Sequence, residues 1–197
     1  MTIELEIKLR VDSHDPIRQR LAELKAEWIG RVLEFNRIFD RPDGSLRRTG
    51  CGLRVRQATD QTTAGTAVAH RTGTHLATLT FKGPVLAGPV KSREEVEVAV
   101  ANADAAAALL ERLGFVSILN FEKRRESWRL GDCLVELDEP PHIGLFVEIE
   151  GPSVEAIRDA QRTLGLAQIP HESASYVRML AAYCETHGIA DRTLRCT

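Results

Sequence analysis

The chain has 197 residues, 26 basic and 28 acidic side chains and a net charge near −2, which suits one domain and excludes the charged tail expected of a nucleic-acid or membrane-surface partner. No apolar run approaches the length of a transmembrane helix, and the N-terminus opens on a charged stretch, so no signal peptide is expected. Cys51, Cys133, Cys184 and Cys196 are scattered without Cys-x-x-Cys, and the six histidines include no His-x-x-x-His pair; free thiols in a reducing cytoplasm are expected, and zinc hydrolase chemistry is not.

Residues 3–9 alternate without a break. Ile3, Leu5, Ile7 and Leu9 fall on one face of a strand, and Glu4, Glu6 and Lys8 on the other, because strand side chains alternate with period two. Ser13-His14-Asp15-Pro16 predicts a helix start, with Ile17, Leu21, Leu24 and Trp28 as its apolar stripe and Gly30 as its end. A strand follows over 33–40, then a turn at Arg41-Pro42-Asp43-Gly44, then a strand over 53–57. Residues 58–74 are rich in Thr, Ala and Gly and lack periodicity, which predicts a long, mobile connection. Strands are predicted over 76–82 and 93–100, followed by an Ala/Leu helix capped by Asp104 and stopped at Gly114. Three more strands, 121–130, 133–138 and 145–150, are separated by Gly131-Asp132 and by Pro140-Pro141-His142-Ile143-Gly144. Ser153 starts a helix ended by Gly165, and Ser173 or Ser175 starts a last helix ended by Gly188. One domain over 1–188 with a flexible tail over 189–197 is the expected organisation.

The charged residues share strand faces. Arg54 and Arg56 oppose Leu53 and Val55; Thr80 and Lys82 oppose Leu79 and Phe81; Glu136 and Asp138 oppose Val135 and Leu137; Glu148 and Glu150 oppose Val147 and Ile149. Lys123 and Arg125 share a face, as do Arg93, Glu95 and Glu97. Acids concentrate in the first strand and the last two, bases in the middle. About eight antiparallel strands whose apolar faces helices can cover predict an α+β fold: an eight-stranded β-barrel, its polar face turned into the lumen and helices packed outside. Such an interior cannot be a dry core, since unpaired buried charges are very costly. It must hold water, metal ions or a highly charged ligand. A triphosphate on the basic wall, bridged by Mg²⁺ or Mn²⁺ to the acidic wall, satisfies both.

Glu4-x-Glu6-x-Lys8 resembles the signature of the CYTH family, the triphosphate tunnel metalloenzymes. The likeness runs in order through Phe39-Asp40, Leu53-Arg54-Val55-Arg56, Thr80-Phe81-Lys82-Gly83-Pro84, Arg93-x-Glu95-x-Glu97, Glu122-Lys123-x-Arg125, Glu136-x-Asp138, Gly144-x-Phe146-x-Glu148-x-Glu150 and Ser175-Tyr176. The resemblance implies an eight-stranded tunnel in cytoplasmic enzymes that cut triphosphates with Mg²⁺ or Mn²⁺. It implies phosphate contacts from Lys8, Arg54, Arg56, Lys82, Arg93, Lys123 and Arg125, and metal ligation by Glu4, Glu6, Glu148 and Glu150, helped by Glu136 and Asp138. Glu4, Glu6, Lys8 and Lys82 are the expected catalytic set. The chain stops soon after the matched region, so the histidine-rich helical domain of some relatives is not expected.

Two chemistries fit these residues. In one, water attacks the terminal phosphorus of tripolyphosphate, ATP or thiamine triphosphate. In the other, a ribose 3′-hydroxyl attacks the α-phosphorus of ATP and pyrophosphate leaves, as in the class IV adenylyl cyclases of the family. Hydrolysis needs fewer special features and is placed first. A non-catalytic nucleotide or polyphosphate binder is disfavoured, because carboxylates weaken simple anion binding. No basic outer stripe suggests a nucleic acid, and a monomer or homodimer is expected.

Overall fold

The alternating stretches fold into one sheet that closes on itself. The computed structural model describes residues 2–61 and 77–196. The described elements are, in order, β1 (Thr2–Val11), α1 (Asp15–Glu23), β2 (Glu27–Asp40), α2 (Ser45–Arg48), β3 (Gly52–Asp60), β4 (Ala77–Lys82), β5 (Lys91–Ala99), α3 (Ala103–Arg112), β6 (Val116–Leu130), β7 (Cys133–Glu139), β8 (Leu145–Glu150), α4 (Val154–Thr163), α5 (Tyr176–His187) and β9 (Thr193–Leu194). Eight strands run β2-β3-β4-β5-β1-β8-β7-β6, and β6 pairs back onto β2 to close an antiparallel barrel. Closure removes the exposed sheet edges that would otherwise invite strand addition.

The apolar strand faces point outward beneath helices. Ile7, Leu9, Val135, Leu137, Val147 and Ile149 pack against Ile17 and Leu21 of α1 and Ile157 and Ala160 of α4. Phe39, Leu53 and Val55 pack against Ala103, Ala107 and Leu110 of α3. A third cluster obeys the opposite parity. Phe121 and Phe146 lie on the same strand faces as Lys123 and Glu148, yet they pack with Ile38, Leu119, Leu194 and with Tyr176 and Leu180 of α5. By strand parity, α5 therefore closes one end of the lumen with an apolar plug.

Several boundaries differ from expectation. The first helix stops at Glu23, and Trp28 and Gly30 belong to β2, where a bulge separates them. Lys25 adopts the left-handed conformation at φ 54. Its N–H donates to Ala22 and that of Ala26 to Leu21, the paired C-terminal bonds in which glycine is the usual residue. Helix α3 is capped by Asn102, whose side chain accepts from Ala105 N, while Asp104 in its first turn pairs with Arg37. Ser153 and Ser175 cap α4 and α5.

The 189–197 stretch read as a flexible tail is packed as far as it is described. Thr193 and Leu194 pair in parallel with Asn120 and Phe121, Leu194 is buried, and Cys196 N donates to Glu122. Of the expected 58–74 connection, residues 58–60 end β3, and the rest falls almost wholly within 62–76, outside the described residues. Among the described residues no helix is long and apolar enough to cross a membrane.

Candidate functional site

Strand parity delivers the predicted residues to one lumen. Lys8 is 5 % exposed, Lys123 3 %, Glu6 and Glu148 8 % and Asp138 0 %. Charges this deeply buried persist only when paired and hydrogen-bonded, and here they are paired across strands.

Arg125 of β6 is the hub. Its Nε lies 2.6 Å from Asp138 Oδ1, and its Nη2 lies 2.5 Å from Asp138 Oδ2 and 2.7 Å from Glu148 Oε2. It also pairs with Glu136. Lys123 lies 3.0 Å from Asp138. Lys8 lies 3.6 Å from Glu148, donates to Ala174 O at 3.0 Å, and sits 4.1 Å above the Tyr176 ring. A second group gathers on β3, β4 and β5. Lys82 reaches Glu4 at 2.8 Å and Glu95 at 2.7 Å, with Arg93 3.8 Å from Glu4. Arg56 meets Glu97 at 3.3 Å. Lys91 pairs with Glu6.

Asp138, expected to help the metal ligands, has both oxygens held by Arg125, Lys123 and the Tyr176 hydroxyl at zero exposure. That saturation suits an anchor for two cations. The expected separation into a basic and an acidic wall is also too simple, because Glu95 and Glu97 stand among the basic strands and Lys8 and Lys91 beside the acidic ones.

Glu34 of β2 did not emerge from the sequence. It is 2 % exposed and lies 2.8 Å from Arg56, 3.3 Å from Lys123 and 4.0 Å from Arg125. Burial opposes its charge, but Lys123, Arg56 and Arg125 hold its carboxyl well below the ordinary range. The available signal was parity: Glu34 shares a face with Asn36, and both lie in register beside the basic strands.

Glu148 is likewise held low, since Lys8 and Arg125 outweigh its burial. Glu136 goes the other way. Burial pushes it up to about 7; Arg125 opposes the rise, and neighbouring Asp138 and Glu148 add to it. One guanidinium divided among three carboxylates leaves one of them short of counter-charge. Arg54 is drawn down to about 10 by burial and by adjacent Arg56. Its one ion pair among the described residues is a 4.0 Å contact with Glu97.

The acidic side suits a divalent cation in its chemistry. Register sets Glu6 directly opposite Glu150, and Glu136 directly opposite Glu148. Like charges so placed repel unless a cation lies between them. Among the described residues no three acidic, histidine or cysteine side chains converge on a single point; most of these carboxylates instead face an ammonium or guanidinium group.

The matches to known proteins agree with this geometry. A family model described as the CYTH domain matches residues 2–176. A Methanocaldococcus jannaschii protein named "putative adenylate cyclase" is 26% identical over 162 residues, covering 82% of this chain and 83% of its own. A solved Pyrococcus horikoshii protein superposes with a TM-score of 0.74 at 25% identity, covering 91% of this chain and 99% of that one. A Hippeastrum structure, described as a putative adenylyl cyclase with a dominant triphosphatase activity, shares the fold at TM-score 0.63 and 21% identity, covering 94% of this chain and 96% of that one. With a family model spanning most of its length and a closed barrel around a charged lumen, the chain belongs to the CYTH domain family.

Proposed function

We propose that this chain is a divalent-cation-dependent enzyme that hydrolyses inorganic or organic triphosphates within the barrel. The carrying observation is the lumen itself: Lys8, Arg54, Arg56, Lys82, Lys123 and Arg125 face it together with Glu4, Glu6, Glu136 and Glu148. A site for a simple anion has no use for that acidic half.

The arginines bind phosphate oxygens through paired N–H donors, and the lysines act as compact point charges. Glu6, Glu136, Glu148 and Glu150, with Glu4 nearby, are the residues that would hold Mg²⁺ or Mn²⁺. Such an ion supplies charge neutralisation and a more acidic water. The chain's own contribution is chiefly placement and electrostatics. Asp138 and Glu34 fix Arg125, Lys123 and Arg56, so these cations need not reorganise as charge shifts from the terminal phosphate to the bridging oxygen. Water oxygen bonds to the terminal phosphorus, the bridging P–O bond breaks, and the water proton passes to a carboxylate of the acidic side. The plug at α5 supports substrate entry from the opposite end of the lumen.

A second reading, cyclisation of ATP to cyclic AMP and pyrophosphate, is favoured by the name of the 26%-identical Methanocaldococcus relative. One assay separates the two. Purified protein is incubated with tripolyphosphate, ATP and thiamine triphosphate under Mg²⁺ or Mn²⁺, and phosphate, pyrophosphate and cyclic AMP are measured. Release of phosphate supports hydrolysis; cyclic AMP with pyrophosphate supports the cyclase. Turnover of none of them under either ion rejects the enzyme reading in favour of a binding module. The four unpaired cysteines fit a reducing, cytoplasmic setting.

A further inference from the structure

Asn36 Oδ1 and Arg54 Nε are buried and have no hydrogen-bond partner among the described residues. Asn36 is 1 % exposed. It lies in register opposite Arg56, two positions along β2 from Ile38, the residue opposite Arg54. The amide and both guanidinium groups therefore occupy neighbouring positions on the same lumen face. The amide has a defined orientation. Its Nδ2 donates to Glu34 Oε2 at 3.4 Å, which turns the amino group toward Glu34 and leaves the carbonyl oxygen for another donor.

A buried carbonyl without a donor is costly. Beside Arg54 and Arg56 it is also out of keeping, because a fully ionised phosphate would set oxygen against oxygen there. A phosphate hydroxyl would not. It offers Asn36 a donor, while an adjacent P–O oxygen accepts from Arg54 Nε. We propose that Asn36 and Arg54 together bind a hydrogen-phosphate group, Asn36 Oδ1 accepting from P–OH and Arg54 donating to its neighbour. This rests on the triphosphate reading of the same lumen and adds to it a neutral residue that reads the protonation of the phosphate. The bound group is the protonated end of the substrate, or the orthophosphate released from it.

Orthophosphate at neutral pH always carries a hydroxyl. Sulfate and monofluorophosphate are tetrahedral anions of similar size that carry none. Competition or calorimetric titration of the wild-type chain at pH 7 and matched ionic strength should show orthophosphate binding roughly tenfold or more tightly than either. Asn36→Leu removes the acceptor and should bring the three anions within about twofold of one another, with sulfate bound no more weakly than before. Equal binding of the three anions by the wild-type chain overturns the Asn36 assignment and leaves the triphosphate reading standing. A phosphate preference that survives in folded Asn36→Leu overturns it as well. Binding of none of the three overturns the Asn36 assignment, and tripolyphosphate titrated in the same assay then shows separately whether the triphosphate reading stands. The wild-type comparison decides the matter even where the variant does not fold.

Discussion

The Tyr176 hydroxyl donates to Asp138 Oδ2 at 3.0 Å, joining the helix that plugs the barrel to the carboxylate that anchors its cations. Burial keeps the phenol protonated, its pKa pushed well above the ordinary value, so it remains a donor to the adjacent charge. Tyr176→Phe deletes that one bond and preserves the edge contact with Phe146, whose ring centroid lies 5.1 Å away. Urea unfolding should show a loss of roughly 1.5–3 kcal/mol, the usual range for a hydrogen bond to a charged group. An unchanged midpoint would mean that α5 is held by its apolar face alone.

Arg125 and Arg54 both face the lumen, and their ion pairing differs. Arg125→Ala strands Asp138, Glu148 and Glu136 around a missing guanidinium and should cost roughly 3–5 kcal/mol of stability. Arg54 touches only Glu97, at 4.0 Å, among the described carboxylates. Arg54→Ala should therefore alter stability by less than about 1 kcal/mol and weaken tripolyphosphate binding roughly ten- to a hundredfold. Unfolding curves and calorimetry on both variants check the contrast; equal effects of the two on stability would refute it.

Much of this arrangement is legible in the sequence, for one physical reason. Where one strand face is apolar and the other charged, as in Leu53-Arg54-Val55-Arg56 or Leu145 to Glu150, period two assigns inside and outside unambiguously. Strand β2 resists that reading because both its faces mix polarities. Val32, Glu34, Asn36 and Ile38 are buried on one, while Leu33, Phe35 and Arg37 alternate with them on the other. Glu34 is hidden in that mixture. The early end of α1 was hidden because Lys25 holds a left-handed position where glycine is the usual signal. The docking of Leu194 depends on a contact with Phe121 far away in sequence, which no local pattern announces.

Glu4→Gln and Glu6→Gln test the acidic half. Each removes a charge and preserves shape. Lys82 keeps Glu95 at 2.7 Å when Glu4 is neutralised, so the fold should survive. Turnover of tripolyphosphate with Mg²⁺ should fall at least about tenfold, and the Mg²⁺ concentration for half-maximal rate should rise. Wild-type turnover at wild-type Mg²⁺ would remove both residues from the metal set.

The stability of the chain should respond to pH in two opposing ways, both readable in buffer containing a chelator. Glu136 has a folded-state value of about 7, above its unfolded value. The stability it contributes is fully present below the unfolded value and is lost as pH rises through about 7. His14, buried with Nε2 2.9 Å from Phe146 O, is shifted the other way, down from 6.5, chiefly by burial. Its contribution is present above 6.5 and is lost as pH falls toward the folded value. Glu136→Gln removes the first term alone. At pH 8 the variant should melt higher than wild type, because a buried carboxylate short of counter-charge has become a neutral amide. Below the unfolded value of 4.5 the two should converge, since Glu136 is then protonated in both the folded and the unfolded wild type. Between these limits the variant should show the His14 slope by itself, becoming less stable as pH drops. A Glu136→Gln variant that melts no higher than wild type at pH 8 would show that Arg125 satisfies all three carboxylates, and the case for a cation at Glu136 would fall with it.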